Sequence, residues 1–185
     1  MKILIIDCGS TKVPLFKEKL ASFGQEATII KMDSLKETET TEYDKIIISG
    51  APILVTEVDP QPYLSLFSFL TELNKPMLGV CFGHQMLGML HGASAHRCNE
   101  ARDDMLIEKE SSSSLFDSIT DWSFNEDHCE AISIPQGWQH IASSHVCKNE
   151  AMKHPTKPYF GVQFHPESSG DNGTQLLKNF CISCS

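Results

Sequence analysis

Gly79-Val80-Cys81-Phe82-Gly83-His84-Gln85 is the most informative segment of the chain, because a cysteine lies between two glycines where an apolar run ends and a helical pattern begins. A side chain at the tip of so tight a strand-to-helix turn is pushed into a cleft, and the turn closes only if its flanking positions carry no Cβ. The start of a helix also favours thiolate over thiol. The stretch predicts a nucleophile elbow with Cys81 at its tip, although alone it is equally typical of a buried core cysteine.

A histidine and a carboxylate follow a predicted strand near the other end of the chain, in Tyr159-Phe160-Gly161-Val162-Gln163-Phe164-His165-Pro166-Glu167. Proline biases the preceding residue toward extended backbone, so His165 and Glu167 are expected to project on a similar side. A cysteine nucleophile needs a base within hydrogen-bond reach, and the base needs a third group to orient it. His-Pro-Glu alone is typical of an exposed turn. Together with the elbow it predicts a triad of Cys81, His165 and Glu167.

Three segments resemble signatures of the class I, or triad-type, glutamine amidotransferases. Residues 79–85 and 161–167 resemble the two signature segments, and Ile48-Ser49-Gly50-Ala51-Pro52 resembles the oxyanion loop. They lie in the family's order and spacing, and the resemblance extends over essentially the whole chain. It implies a single amidotransferase domain over residues 1–185.

The resemblance also implies roles for individual residues. Cys81 would attack the side-chain amide of glutamine to form a γ-glutamyl thioester, with His165 as general base and acid and Glu167 as its orienting partner. The substrate would be held by Gln85 and by backbone around Gly50.

The oxyanion loop departs from the family pattern, which usually has two glycines where this chain has Gly50 and Ala51. The chemistry there depends on backbone N–H groups aimed at the developing oxyanion, so alanine serves if its φ is negative. A positive φ would cost on the order of 1 kcal/mol. The N–H groups of Ala51 and Phe82 are the predicted oxyanion hole.

Further segments resemble the branch of the family that serves GMP synthase, over residues 134–138, 141–144 and 150–154, whereas residues 123–128 match that branch poorly. The chain has no G-x-x-x-x-G-K phosphate loop. If the ammonia is used to make GMP from XMP, a separate ATP-dependent synthetase chain must accept it. The resemblance implies no cofactor.

Two other classes of function stay open. One is an amidotransferase for another acceptor, or a stand-alone γ-glutamyl hydrolase that uses the same triad without passing ammonia on. The other, less favoured, is a non-catalytic binding module that keeps the fold, for which Ala51 and the altered region around residues 125–128 are the reason.

Composition excludes several other functions. Asp and Glu number 24 against 15 Lys and Arg, giving a net charge of −9, and no basic stripe is present to neutralise nucleic-acid phosphates. No segment approaches the roughly 20 apolar residues needed to cross a bilayer. The start of the chain lacks a signal-peptide pattern, so a cytoplasmic protein with reduced cysteines is expected.

Two groups of potential metal ligands carry no prediction of a metal. The C-x-x-C pair Cys181 and Cys184 is interpreted as the frayed end of a last helix. His91, His96 and Cys98 fall in a predicted loop and match no familiar zinc spacing.

The order of predicted elements indicates an α/β fold: a flavodoxin-like, three-layer sandwich with a central, mostly parallel sheet and a small antiparallel addition in the second half. Predicted strands cover residues 3–7, 27–31, 45–49, 76–80, 105–110, 122–124, 141–144, 151–153 and 159–164. Predicted helices cover residues 13–23, residues 64–73, the segment after Cys81 and the last apolar stripe around residues 176–180. Gly50, Cys81 and His165 all follow strands, and sites in such sheets lie at the carboxyl ends of the strands.

Overall fold

The computed structural model describes residues 1–35 and 37–184, apart from the side chains of residues 37–39; residues 36 and 185 of the predicted domain lie outside this description. The described residues form ten strands: β1 Lys2–Asp7, β2 Glu26–Lys31, β3 Lys45–Ile48, β4 Met77–Val80, β5 Ala95–Leu106, β6 Glu108–Lys109, β7 Ser123–Ile132, β8 Gln139–Ser143, β9 Ala151–Lys153 and β10 Tyr159–Val162.

Eight of the strands make one sheet, in the order β2-β1-β3-β4-β10-β9-β8-β6. The pairs from β2 to β10 are parallel, and those from β10 to β6 are antiparallel. β5 and β7 pair antiparallel as a separate ribbon. The prediction of a mostly parallel α/β sheet with a small antiparallel addition is confirmed.

Helices cover both faces of the sheet. They are α1 Val13–Ser22, α2 Gln61–Phe67, α3 Phe82–Leu90 and α4 Gly170–Ser183, with 3-10 turns at Met32–Ser34, Glu37–Glu42, Ser68–Glu72, Ser114–Phe116 and Pro166–Ser168. Among the described residues, no helix has the length and apolar character that a membrane crossing requires.

The alternation of side chains along β1 explains the three layers. Ile3 and Ile5 face a core that contains Phe16 of α1 and Phe180 of α4. The intervening residues face a second core built with α2 and α3, which includes Leu4, Ile6, Phe67 and Met86. The sequence of a strand that is buried on both faces is a continuous apolar run, and residues 3–6 form such a run.

Several predicted boundaries are wrong. The predicted loop around residues 91–98 contains the start of β5, and the predicted strand over 122–124 is only the start of the ten-residue β7. β5 is largely exposed, and the buried face of β7 includes the polar residues Glu126, His128 and Glu130, so neither sequence shows a clear apolar alternation. The predicted helix over 64–73 is α2 followed by a 3-10 turn.

The interpretation of Cys181 and Cys184 as a frayed helix end is also wrong, because both side chains are buried. The buried Lys45 Nζ donates to the carbonyl oxygens of Phe180, at 2.8 Å, and Cys184. A lysine that bonds the last carbonyls of a helix satisfies groups that otherwise have no intrahelical partner. The end of α4 is therefore bonded to the start of β3.

Candidate functional site

Cys81 stands at the turn from β4 into α3 with φ 50 and ψ −107. Positive φ is uncommon for residues other than glycine and marks backbone that its surroundings hold under strain. Its N–H donates to Val162 O of β10 at 2.9 Å, and the N–H of Gly83 donates to Ser49 O at 3.2 Å. The turn around Cys81 is thus hydrogen bonded to β10 on one side and to the residue after β3 on the other.

The two glycines around Cys81 are required by close backbone packing. A Cβ at Gly79 would lie 2.5 Å from the carbonyl oxygen of Gly83, and a Cβ at Gly83 would collide with that of Ile48. Neither obstacle is the end of a flexible side chain, so neither position tolerates a larger residue without backbone movement.

His165 and Glu167 form a buried pair just beyond β10. The N–H of His165 donates to Asn125 O at 2.8 Å, which ties the segment to β7. Its Nδ1 lies 2.7 Å from Glu167 Oε1, and both residues are less than 5% exposed. Since Nδ1 is engaged by the carboxylate, Nε2 is the ring nitrogen left for another group.

The thiol of Cys81 and the imidazole of His165 flank Gly50. A Cβ at Gly50 would lie 3.1 Å from His165 Cε1 and 3.9 Å from Cys81 Sγ. Burial lowers the pKa of His165, but its contacts with the Cys81 thiol and the Glu167 carboxylate outweigh burial and raise that pKa to about 10. The imidazole therefore carries a proton at neutral pH.

Ala51 has a negative φ, which is the condition for alanine to serve in the oxyanion loop. Among the described residues, positive φ outside glycine occurs only at Cys81, Asp103 and Ser118. The N–H groups of Ala51 and Phe82 have no acceptor within the described part of the chain. Ser49 Oγ steadies the loop by accepting from Cys8 N–H and donating to Gly50 O, each at 2.9 Å.

A cavity of about 170 Å³ opens over the cysteine and histidine. Its described lining comprises Gly9, Ser10, Thr11, Lys12, Ala51, Pro52, Cys81, Asp127 and His165. A larger cleft of about 550 Å³ elsewhere is lined by described residues that include no cysteine or histidine. The chemistry-bearing groups thus converge on the smaller cavity, at the carboxyl ends of β1, β3, β4 and β10.

Part of this lining was not predicted from the sequence. Lys12 Nζ lies 3.1 Å from Asn125 Oδ1 and 3.5 Å from Asp127 Oδ2. Residues 9–12 follow the first predicted strand, so the rule that sites lie at carboxyl strand ends could have found them. Asp127 had no such signal, because the prediction ended β7 too early.

Gln85 is buried and is not among the described residues that line the cavity. Its Nε2 donates to Gln163 Oε1 at 3.3 Å, within the segment that leads from β10 to His165. Its predicted role in holding the substrate stays a prediction.

The doubly covered, mostly parallel sheet with these groups at its carboxyl edge defines an α/β enzyme of the class that works through a cysteine. The family model "Glutamine amidotransferase class-I" matches residues 4–184. The chain belongs to the class I glutamine amidotransferase family, whose members are enzymes with a cysteine nucleophile.

Relatives with the same extent include two archaeal proteins, each named as one subunit of GMP synthase [glutamine-hydrolyzing], from Methanosarcina barkeri and Methanocaldococcus jannaschii. The first is 31% identical over 191 residues, covering 100% of this chain and 97% of that protein. The second is 32% identical over 192 residues, covering 98% and 97%. The GMP synthase [glutamine-hydrolyzing] of Macrococcus caseolyticus is 32% identical over 96% of this chain but only 35% of its own length.

Solved structures agree on the fold. A candidate GMP synthase subunit from Thermoplasma acidophilum superposes with a TM-score of 0.88 at 24% identity, covering 97% of this chain and 92% of that one. A glutamine amidotransferase from Thermotoga maritima superposes with a TM-score of 0.78 at 19% identity, covering 98% and 82%.

Proposed function

We propose that this chain is the glutaminase component of a two-chain GMP synthase: it hydrolyses glutamine through Cys81, His165 and Glu167 and passes ammonia to a separate ATP-dependent synthetase that converts XMP to GMP. The main support is the match to two relatives named as GMP synthase subunits, over 97% of the length of each. The 2.7 Å contact between His165 and Glu167, beside the cavity that holds Cys81, supports the triad.

The first half of the reaction begins from a thiolate and an imidazolium. Cys81 Sγ attacks the amide carbon of the glutamine side chain, and the N–H groups of Ala51 and Phe82 stabilise the oxyanion. His165 Nε2 then gives its proton to the departing nitrogen, and the C–N bond breaks to leave ammonia and a γ-glutamyl thioester. The raised pKa of His165 keeps that proton in place until the attack has occurred.

The second half uses the same imidazole as a base. Once the sulfur is acylated, the thiolate that held the proton on His165 is gone, so the neutral ring accepts a proton from water. The resulting hydroxide attacks the thioester, and glutamate leaves with regeneration of the Cys81 thiolate. Glu167 holds Nδ1 and stabilises the imidazolium in both halves.

The polar mouth of the cavity suits the amino-acid end of glutamine. Lys12 can pair with the α-carboxylate, and Asp127 can pair with the α-ammonium group, which leaves the side-chain amide to reach Cys81. Gly50 keeps this space open because it has no side chain. Gln85, which contacts Gln163, is proposed to help hold the substrate, as the family resemblance implies.

The synthetase is proposed to dock around the cavity mouth. Ammonia that crosses directly from one chain to the other avoids bulk water, where it would be protonated and lose its nucleophilicity.

A reconstitution assay tests the function. The chain is mixed with the synthetase of its source organism, XMP, ATP and either glutamine or an ammonium salt, and GMP is measured. Glutamine-dependent synthesis should require this chain and fail with C81A and E167Q, while C8S, which changes another buried cysteine, should retain it. Ammonium should bypass all variants.

Other outcomes discriminate the alternatives. Hydrolysis of other γ-glutamyl amides as fast as glutamine, with or without the synthetase, would indicate a stand-alone hydrolase. Glutamine-dependent GMP formation by C81A would contradict the proposed nucleophile. Failure of glutamine analogues that alkylate thiols to label Cys81, alone or with the synthetase, would favour a non-catalytic module.

A further inference from the structure

Four ionisable side chains lie together in the protein interior, outside the site described above. Glu126 and His128 belong to β7, Cys147 lies in the connection from β8 to β9, and Glu150 immediately precedes β9. Each is at most 5% exposed. Burying such groups is costly unless each is hydrogen bonded, paired or bound to a metal ion. These four residues are referred to as the buried cluster.

The hydrogen bonds of His128 determine which ring nitrogen carries its proton. Its Nδ1 lies 3.0 Å from the carbonyl oxygen of Glu130, which can only accept, so Nδ1 is the donor. A neutral ring then has a lone pair on Nε2. That nitrogen lies 3.2 Å from Glu126 Oε2 without the alignment of a hydrogen bond. Two lone-pair atoms so close repel each other unless a proton or a cation lies between them.

Glu150, like His128, has one polar atom in a hydrogen bond and the other unpaired. Glu150 Oε1 accepts from Ser144 Oγ at 2.7 Å, while its buried Oε2 has no hydrogen-bond partner among the described residues. Both oxygens of Glu126 are buried without an aligned partner there, unless a proton joins Glu126 to Glu150. A side chain that binds a metal typically uses one polar atom for a hydrogen bond to the protein and the other for the metal.

Three of the four side chains converge. One ring nitrogen of His128, Sγ of Cys147 and one oxygen of Glu150 all lie within 4.8 Å of one another. Imidazole, thiolate and carboxylate are the donors that zinc prefers, with bonds of about 2.0–2.3 Å. Cys147, Glu150 and Glu126 together bring three negative charges, which offset the two of a zinc ion and leave one. We propose that His128, Cys147 and Glu150, with Glu126 as fourth ligand, form a structural zinc site.

The acid–base properties of the cluster agree with a need for a cation. Burial raises the pKa of Glu126 and of Glu150 to about 8, and it raises the pKa of the Cys147 thiol as well. Without a metal these groups take up protons; zinc replaces them, because its ligands bind deprotonated. The rival arrangement is a proton shared between Glu126 and Glu150.

The cluster is connected to the candidate active site through the backbone. Glu150 O accepts from Gln163 N–H at 2.8 Å, and Asn125 O, next to Glu126, accepts from His165 N–H at 2.8 Å. A metal bound to Glu126 and Glu150 would therefore restrict both backbone segments to which residues 163–165 are hydrogen bonded. The site is structural and does not touch the cavity.

Metal content and cobalt spectra of the full chain test the proposal. Protein expressed with added zinc and dialysed against metal-free buffer should retain one zinc per chain by elemental mass spectrometry. C147S and E150Q should lose it, whereas C129S, a change at the neighbour of His128, should keep it. Refolding with cobalt(II) should give a thiolate-to-cobalt charge-transfer band in the wild type and in C129S but not in C147S.

The proposal is overturned if the wild type retains no more zinc than C147S, or if refolded wild type shows no thiolate-to-cobalt band. That result would assign the cluster to a shared proton. Should C147S fail to fold, loss of zinc and of the cobalt band in E150Q but not in C129S decides, because a band in the wild type alone could come from any of the seven free cysteines.

Discussion

Gly50 lies between Cys81 and His165, so a side chain at this position would contact the proposed catalytic groups. A methyl group there would approach His165 Cε1 to 3.1 Å, so the ring must move by a few tenths of an ångström. We expect G50A to lower kcat of glutamine hydrolysis by up to about 10²-fold, since small misplacements of a catalytic group are costly. The melting temperature should change little. Wild-type kcat in G50A would show that the position of the ring is not limiting.

The proton on His165 links stability to pH. Its folded-state pKa, about 10, lies above its ordinary value of 6.5. The stabilisation is therefore complete below about pH 6.5 and is lost as the pH rises through about 10. Urea unfolding of the wild type and H165N across this range should show a stability difference that shrinks toward high pH. A difference independent of pH would contradict the raised pKa.

The elbow between β4 and α3 depends on close approach of backbone to backbone. A methyl group at Gly79 meets the carbonyl oxygen of Gly83 at 2.5 Å, whereas one at Gly24 meets nothing within 4 Å. We expect G79A to lower the free energy of unfolding by about 1–3 kcal/mol through overpacking. Gly24 has positive φ, so G24A should cost about 1 kcal/mol. Equal losses, measured by denaturant unfolding, would show that the clash is relieved at no cost.

The elbow, the parallel strands and the His-Pro-Glu segment could be predicted because each has a local signature. Residues 76–80 are a short apolar run that ends at a glycine, and buried strands leave such runs. The ribbon of β5 and β7 could not be predicted in the same way. It lies outside the main sheet, and its two strands stabilise each other without the apolar alternation that marks a half-buried sheet.

The same reason explains which parts of the sites were missed. Asp127 of the cavity and Glu126 and His128 of the buried cluster all lie on β7, which was predicted as only three residues long. Cys147 and Glu150 come from a different segment, so no sequence spacing links them to β7. Contacts between distant segments depend on the pairing of whole strands, which a single sequence does not display.

For the whole molecule, Lys45 connects the beginning of β3 to the end of α4. Replacing it with methionine keeps the length of the side chain but leaves the carbonyls of Phe180 and Cys184 without their donor. We expect K45M to lower the free energy of unfolding by about 1–3 kcal/mol. Faster amide exchange in α4 should accompany the loss. K31M, a change at an exposed lysine of β2, is the control; equal losses in both would contradict the anchoring role.

The pairing of β4 with β10 has a consequence for the newly synthesised chain. Cys81 and His165 follow strands that lie side by side, yet they are 84 positions apart in the sequence. At about 5–20 residues per second, a ribosome makes the sulfur nucleophile roughly 4–17 s before its imidazole. Through almost all of that interval the edge of β4 that pairs with β10 lacks its partner strand. On the proposed mechanism a nascent chain cannot split glutamine, so no ammonia is wasted before translation has passed residue 165.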